Sequence, residues 1–307
     1  MVIGHLALSE VEGWSLVISL PTVNCQLSTA NCQLPTFNRQ LIKMNSNDSK
    51  PPLYEMNPLG RFSDRATDYV KYRPSYPAAA IDAILAGLGE PSQLTAADLG
   101  AGTGISSRLL AERGVRVLAI EPNAEMRQAA APHPLVEFRD GTSETTNLPD
   151  ESLDLVVCFQ SFHWFNHILT LPELRRILKP SGRLAVVWNL RDRADALTQG
   201  YTQIVKSASH NHPAEQRDRS IDSLLASSDF TDVTSTEFTN RQNLDLAGLI
   251  GRAKSSSYIP KSGPQLQKLI SDLTELYQAQ CGGRGFISLV YNTIVYQGNR
   301  TDCQNLY

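Results

Sequence analysis

Residues 94–113 constrain the fold of this chain more than any other stretch. An apolar run, Leu94-Thr95-Ala96-Ala97-Asp98-Leu99, enters Gly100-Ala101-Gly102-Thr103-Gly104 and leaves as a helix-like segment, Ile105 to Arg113. Glycines at such a bend let the backbone approach a ligand, and the helix start behind it adds a dipole that favours negative charge. A second apolar strand, Val115 to Ile120, ends in Glu121, which stands 21 residues beyond Gly100. A carboxylate there suits two ribose hydroxyls. Asp98, just before the glycines, is read as holding the loop.

Around this unit strand and helix alternate. Strands are expected at 95–99, 115–120, 135–139, 153–158 and 182–188, and helices at 62–72, 77–88, 104–113, 123–131, 164–178 and 192–208. Pro172 is expected to break or restart the fifth of these helices. Later come a strand near 232–239, helices near 245–253 and 264–280, and a Val/Ile/Tyr-rich strand at 286–297 whose place suits an added antiparallel strand. The fold class is α/β: a doubly wound, mostly parallel seven-stranded sheet with a helical lid or insert. Three regions follow: 1–59, a disordered or mis-annotated extension; 60–192, the binding core with leading lid helices; and 193–307, a helical substrate insert plus the last strands.

Composition narrows the partners. With 28 Lys and Arg against 31 Asp and Glu, the net charge of −3 draws the chain to neither nucleic acid nor an anionic membrane. The five cysteines show no metal-ligand spacing, which fits a reducing, cytoplasmic setting for a monomer or homodimer. No apolar run nears the roughly 20 residues of a membrane span. His163 and His167 are four apart but lack a third ligand, so no metal is expected. In the extension, Asn24-Cys25-Gln26-Leu27 recurs as Asn31-Cys32-Gln33-Leu34 and Asn38-Arg39-Gln40-Leu41. These units are nearly uncharged and Pro35 interrupts them, unlike a coiled coil. They read as a translated tandem repeat, with Met44 or Met56 as the working start; a partner-binding tail is the alternative.

A dinucleotide fingerprint needs glycine at 105, where this chain has Ile105. The loop G-x-G-x-G after Asp98 instead resembles the first motif of class I S-adenosylmethionine (SAM)-dependent methyltransferases. Glu121-Pro122-Asn123, Gly141-Thr142-Ser143-Glu144, Leu148-Pro149-Asp150 and Ile177-Leu178-Lys179-Pro180-Ser181-Gly182 resemble further segments of that family. With Arg73-Pro74-Ser75-Tyr76-Pro77 and Phe162-His163-Trp164-Phe165, the chain is similar to the small-molecule branch that includes trans-aconitate methyltransferases.

The resemblance implies a Rossmann-like sheet, SAM as cofactor, and Asp98, Gly100, Ala101, Gly102, Gly104, Glu121, Pro122, Thr142, Ser143 and Gln160 around it. Thr142 stands where the family often has Asp, which weakens the expected adenine contact. For the acceptor the candidates are Tyr69, Tyr72, Arg73, Trp164, Arg252 and Tyr258, with His163 as the catalytic candidate should a base be required. The expected reaction is carboxylate O-methylation of a small molecule. The alternatives are C-methylation of a quinone-like ring and a SAM-binding protein without turnover.

Overall fold

Leu155 and Val157 carry side chains to one face of a sheet, and Val156 and Cys158 to the other, and all four are fully buried. A strand hidden on both faces reads as an unbroken apolar run, and it sits at the centre of a layered α/β fold. The computed structural model describes residues 52–56, 66–210, 212 and 221–301. All of them belong to one compact unit, Lys50–Tyr307. The repeat at 24–41 and Met44 lie outside the described residues.

Seven strands form the sheet: β1 (Thr95–Leu99), β2 (Arg116–Ile120), β3 (Val136–Arg139), β4 (Leu153–Phe159), β5 (Leu178–Arg191), β6 (Phe230–Leu244) and β7 (Ile287–Arg300). Their spatial order is β3-β2-β1-β4-β5-β7-β6. The first five are parallel, and β7 runs antiparallel between β5 and β6. The sheet is therefore the expected doubly wound, mostly parallel one. The register of β5 on β4 jumps from Leu153↔Leu178 to Leu155↔Arg183, so Lys179-Pro180-Ser181-Gly182 bulges out between paired residues. The chain after residue 192 joins the same sheet through β6 and β7.

Helices α1 (Ala66–Tyr72), α2 (Ala78–Leu85), α3 (Ile105–Ala111), α4 (Ala124–Gln128), α5 (His167–Ile177), α6 (Ala196–Ala208), α7 (Asp222–Leu225), α8 (Leu246–Lys254) and α9 (Pro264–Gln280) surround it. Residues Ile81, Ile84 and Leu110 of α2 and α3 pack on one face with Val117, Leu155 and Val187. Leu171, Leu174 and Ile177 of α5 cover the other face with Phe162 and Trp188. A third cluster joins Tyr201 and Val205, Leu249, and Leu269 and Leu273, from α6, α8 and α9, to Leu289 and Tyr291 of β7. Asp195 and Asp245 cap their helices by accepting from Thr198 and Gly248 backbone N–H groups at 2.8 and 2.6 Å.

Two expectations need correction. Pro172 does not break its helix, which runs from His167 to Ile177. The amide that proline lacks would have bonded the carbonyl of Ile168, a residue 84% exposed, where solvent can take its place. The lead-in is not wholly irregular: Leu53–Glu55 form a 3-10 turn that touches the short turn Phe162–Trp164. A start at Met56 would delete that turn.

Candidate cofactor and acceptor site

Strand order reverses between β1 and β4, and ligands of open α/β sheets bind in the crevice beyond the carboxyl ends of strands at such a point. Two turns meet there. After β1 come Gly100 and Gly102, with φ of 66° and 59°. After β4 come Gln160 and Ser161, and the Ser161 hydroxyl donates to the Leu99 carbonyl at 2.6 Å. A Cβ on Gly100 would stand 2.7 Å from the Ser161 Cβ, so only glycine fits at this crossing.

The two acids of the motif lie at different depths. Glu121 lines the cavity, and its two oxygens accept from the backbone N–H groups of Gly102 (2.8 Å) and Asn123 (2.9 Å). Each oxygen keeps a second lone pair for a ligand hydroxyl. Burial pushes the Glu121 carboxyl above its ordinary range, against the pull of those two amides. Asp98 lies one layer below and does not line the cavity. Its Oδ2 accepts from the Ser106 and Ser107 hydroxyls, both at 2.6 Å, while its buried Oδ1 has no hydrogen-bond partner. Complete burial raises its pKa from 3.8 to about 6. Asp98 thus holds the first turn of α3 under the loop.

The cavity measures ≈ 510 Å³. Gly100, Gly102, Glu121, Pro122 and Gln160, five of the cofactor candidates, line it. Thr142 and Ser143 line it further along. The Thr142 hydroxyl, however, accepts from the Thr145 amide at 3.2 Å, and Ser143 shares a hydrogen bond with Thr170 at 3.1 Å. Each hydroxyl is partly engaged in local structure, and beside them the wall offers the apolar surfaces of Met126, Phe165 and Leu169. Gly104 is not at the cavity. It opens α3 in the left-handed region, and a Cβ there would strike the Phe138 ring at 2.7 Å.

The acceptor candidates divide. Tyr69 and Trp164 line the cofactor cavity. Tyr69, Arg73, Ala101, Gln160 and Arg252 meet in a small cleft next to it. Arg73 lies over the Tyr69 ring at 4.7 Å and donates to the Ser255 carbonyl at 3.0 Å, tying the end of α1 to the end of α8. Arg252 is buried, donates from Nε to the Tyr291 hydroxyl at 3.3 Å, and forms no ion pair among the described residues.

Tyr72 and Tyr258 are not at these cavities, contrary to expectation. Tyr72 packs so closely on Gly251 that a Cβ there would come within 2.3 Å of its ring, so it docks α1 on α8. Tyr258 stacks on His212 with ring centroids 5.6 Å apart. His163 also faces inward. Its Nδ1 accepts from the Trp188 indole N–H at 3.4 Å, and it lines none of the cavities described here. The His163/His167 spacing makes no metal site, since His167 bonds the Phe162 carbonyl and the Ser223 hydroxyl, each at 2.8 Å. Among the described residues no group of His, Cys, Asp and Glu is arranged to hold a metal.

Several lining residues carried no signal in the sequence. Tyr54 and Glu55 reach the cavity from the 3-10 turn ahead of α1. Ser161, Met126 and Leu169 are set there by the turns around them. Asn189 had a legible signal, a polar residue inside the apolar strand Leu184–Leu190. Its Oδ1 accepts from the Thr293 hydroxyl at 2.5 Å and its Nδ2 donates to the Ser75 carbonyl at 3.1 Å.

The site is thus a switch-point crevice of an α/β sheet, with a glycine loop and the buried acid Glu121 in its wall. Residues 97–186 match the methyltransferase domain family. An uncharacterized methyltransferase of Schizosaccharomyces pombe is 29% identical over 224 residues, 71% of this chain and 88% of that protein. One from Mycobacterium tuberculosis is 40% identical over 134 residues, 43% of this chain and 53% of its own length. The trans-aconitate 2-methyltransferase of Azoarcus is 35% identical over 122 residues, 38% of this chain and 47% of that one. The chain thus spans about half the length of the last two relatives. A solved protein of Anabaena variabilis, described as a methyltransferase from an antibiotic biosynthesis pathway, superposes with a TM-score of 0.54 at 26% identity. That match covers 72% of this chain and 98% of the other. Residues 97–186 are thus a methyltransferase domain on a Rossmann-like sheet, and SAM is the cofactor that such a domain implies. The residues present fit it: Glu121 lines the cavity beside a loop in which Gly100 has no room for a side chain. No helix among the described residues is long and apolar enough to cross a membrane.

Proposed function

We propose that this protein transfers a methyl group from SAM to a carboxylate oxygen of a small anionic molecule. The observation that carries this reading is Arg252. A guanidinium removed from water without a carboxylate opposite it is costly, and an anionic ligand relieves the cost. Its planar fork matches both oxygens of a carboxylate. The name of the Azoarcus relative points the same way, to a carboxylate-bearing acceptor.

SAM supplies a methyl group on a sulfonium, and in-line displacement by a carboxylate oxygen gives a methyl ester and S-adenosylhomocysteine. A carboxylate is already ionised at neutral pH, so the protein's task is alignment and exclusion of water. Glu121 and the glycine loop fix the cofactor, Tyr69 and Trp164 wall the crevice, and Arg73 and Arg252 hold the acceptor's charge. No base is required, in keeping with the absence of histidine from the described lining.

The test incubates the protein with methyl-labelled SAM and pooled small-metabolite extract. A product whose label is released as methanol by mild alkali is expected. Arg252→Ala should raise the acceptor KM about tenfold, the loss of about 1.4 kcal/mol, with kcat little changed. An alkali-stable label that requires His163 would establish carbon methylation of a ring acceptor. SAM binding without any product would reduce the protein to a SAM binder.

A further inference from the structure

A second cavity, ≈ 320 Å³, lies beyond β5 and shares no lining residue with the cofactor cavity. The cleft of Arg73 and Arg252 borders both. That cleft shares Tyr69, Gly100, Phe159 and Gln160 with the cofactor cavity, and Asn189 and Arg252 with the second. It is nearly shut, at ≈ 20 Å³, with Gln160 Nε2 donating to the Asn189 carbonyl at 3.2 Å. The second cavity carries four cations, Arg191, Arg193, Lys206 and Arg252, against the acids Asp192 and Glu237. Asp192 is engaged in accepting from the Ala194 amide at 2.8 Å. Among the described residues Arg193, Lys206 and Arg252 form no ion pair. Like charges gathered in a concave site raise the local concentration of an oppositely charged ligand.

We propose that this second cavity is the acceptor's own site and entrance, and that it takes a small polyanion with one carboxylate on Arg252 and another anionic group toward Arg193 and Lys206. The inference rests on the methyltransferase reading but adds a location and a route. Cofactor and acceptor reach the reacting point from opposite sides of the Gln160–Asn189 contact. Neither needs to leave for the other to bind, so binding is independent of order. The half-buried Thr202 of α6 stands in the wall of this cavity and touches neither the glycine loop nor Glu121.

The experiment uses the full chain saturated with S-adenosylhomocysteine, with succinate and citrate as polyanion probes followed by calorimetry. At least one probe should bind alongside S-adenosylhomocysteine, with affinity unchanged by its presence. Thr202→Trp, which fills the cavity, and Lys206→Glu, which reverses a charge at its rim, should each weaken the probe tenfold or more. Both should leave S-adenosylhomocysteine affinity within twofold, which also shows that the variants are folded. Competition between probe and S-adenosylhomocysteine, full probe binding in both variants, or no probe binding would overturn the proposal. Failure of the unaltered protein to bind S-adenosylhomocysteine would instead overturn the methyltransferase reading.

Discussion

Asp98→Asn isolates one ionisation buried beneath the cofactor loop. The aspartate is fully buried, and both serine hydroxyls donate to one of its oxygens, leaving the other without a partner. Its pKa rises from 3.8 to about 6 because burial outweighs those hydrogen bonds. The folded chain therefore keeps a proton on Asp98 that the unfolded chain releases near pH 4. Between pH 4 and 6 the folded state binds more protons, so this group's contribution to stability is greatest below pH 4 and is lost as pH rises through 6. The gap of about two pH units corresponds to about 3 kcal/mol.

Asparagine keeps the shape and accepts from the serines without titrating. The difference in unfolding free energy between Asp98→Asn and the unaltered protein should grow in favour of the variant by about 3 kcal/mol from pH 4 to pH 7, or about 6–12 °C in Tm. Taking the difference removes carboxylates that titrate in the opposite sense, such as Glu173, held down to about 2 chiefly by Arg176. Urea unfolding of both proteins at four pH values, without cofactor, measures it. Parallel curves would show that Asp98 is ionised throughout and that the account of the buried oxygen is wrong.

Glu121→Ala should weaken SAM by about 1–3 kcal/mol in calorimetry, since it removes an acid that faces the ligand and also anchors Gly102. Near-normal affinity would contradict its ribose assignment. Gly100→Ala places a Cβ against Ser161 in a left-handed conformation. The φ alone costs about 1–2 kcal/mol, so the melting temperature should fall by several degrees and Ser161→Gly should partly restore it. His163→Ala should lose about 1–3 kcal/mol of stability from the packing against Trp188 while SAM affinity stays unchanged. A selective loss of turnover in that variant would return His163 to the chemistry.

The sheet and the glycine-loop end of the crevice were legible in the sequence, because both depend on local pattern. Apolar runs between glycine and proline signals set the strands, and Gly100, Gly102 and Glu121 belong to one strand-loop-helix-strand unit whose spacing fixes their geometry. The cleft beside it came into being only through packing of distant segments. Arg73 and Arg252 are 179 positions apart, and whether they share a cleft depends on how α1 docks on α8. Tyr72 looked like a ligand contact and proved to be the docking surface, for the same reason. His163, the catalytic candidate, follows a strand end, yet its partner is the Trp188 indole of another strand, which no spacing within its own segment encodes. The lead-in turn that carries Tyr54 gains its order from the turn at 162–164, so it has no periodic signature. Local order is written along the chain. A site built where several distant segments meet is fixed only when their packing is complete.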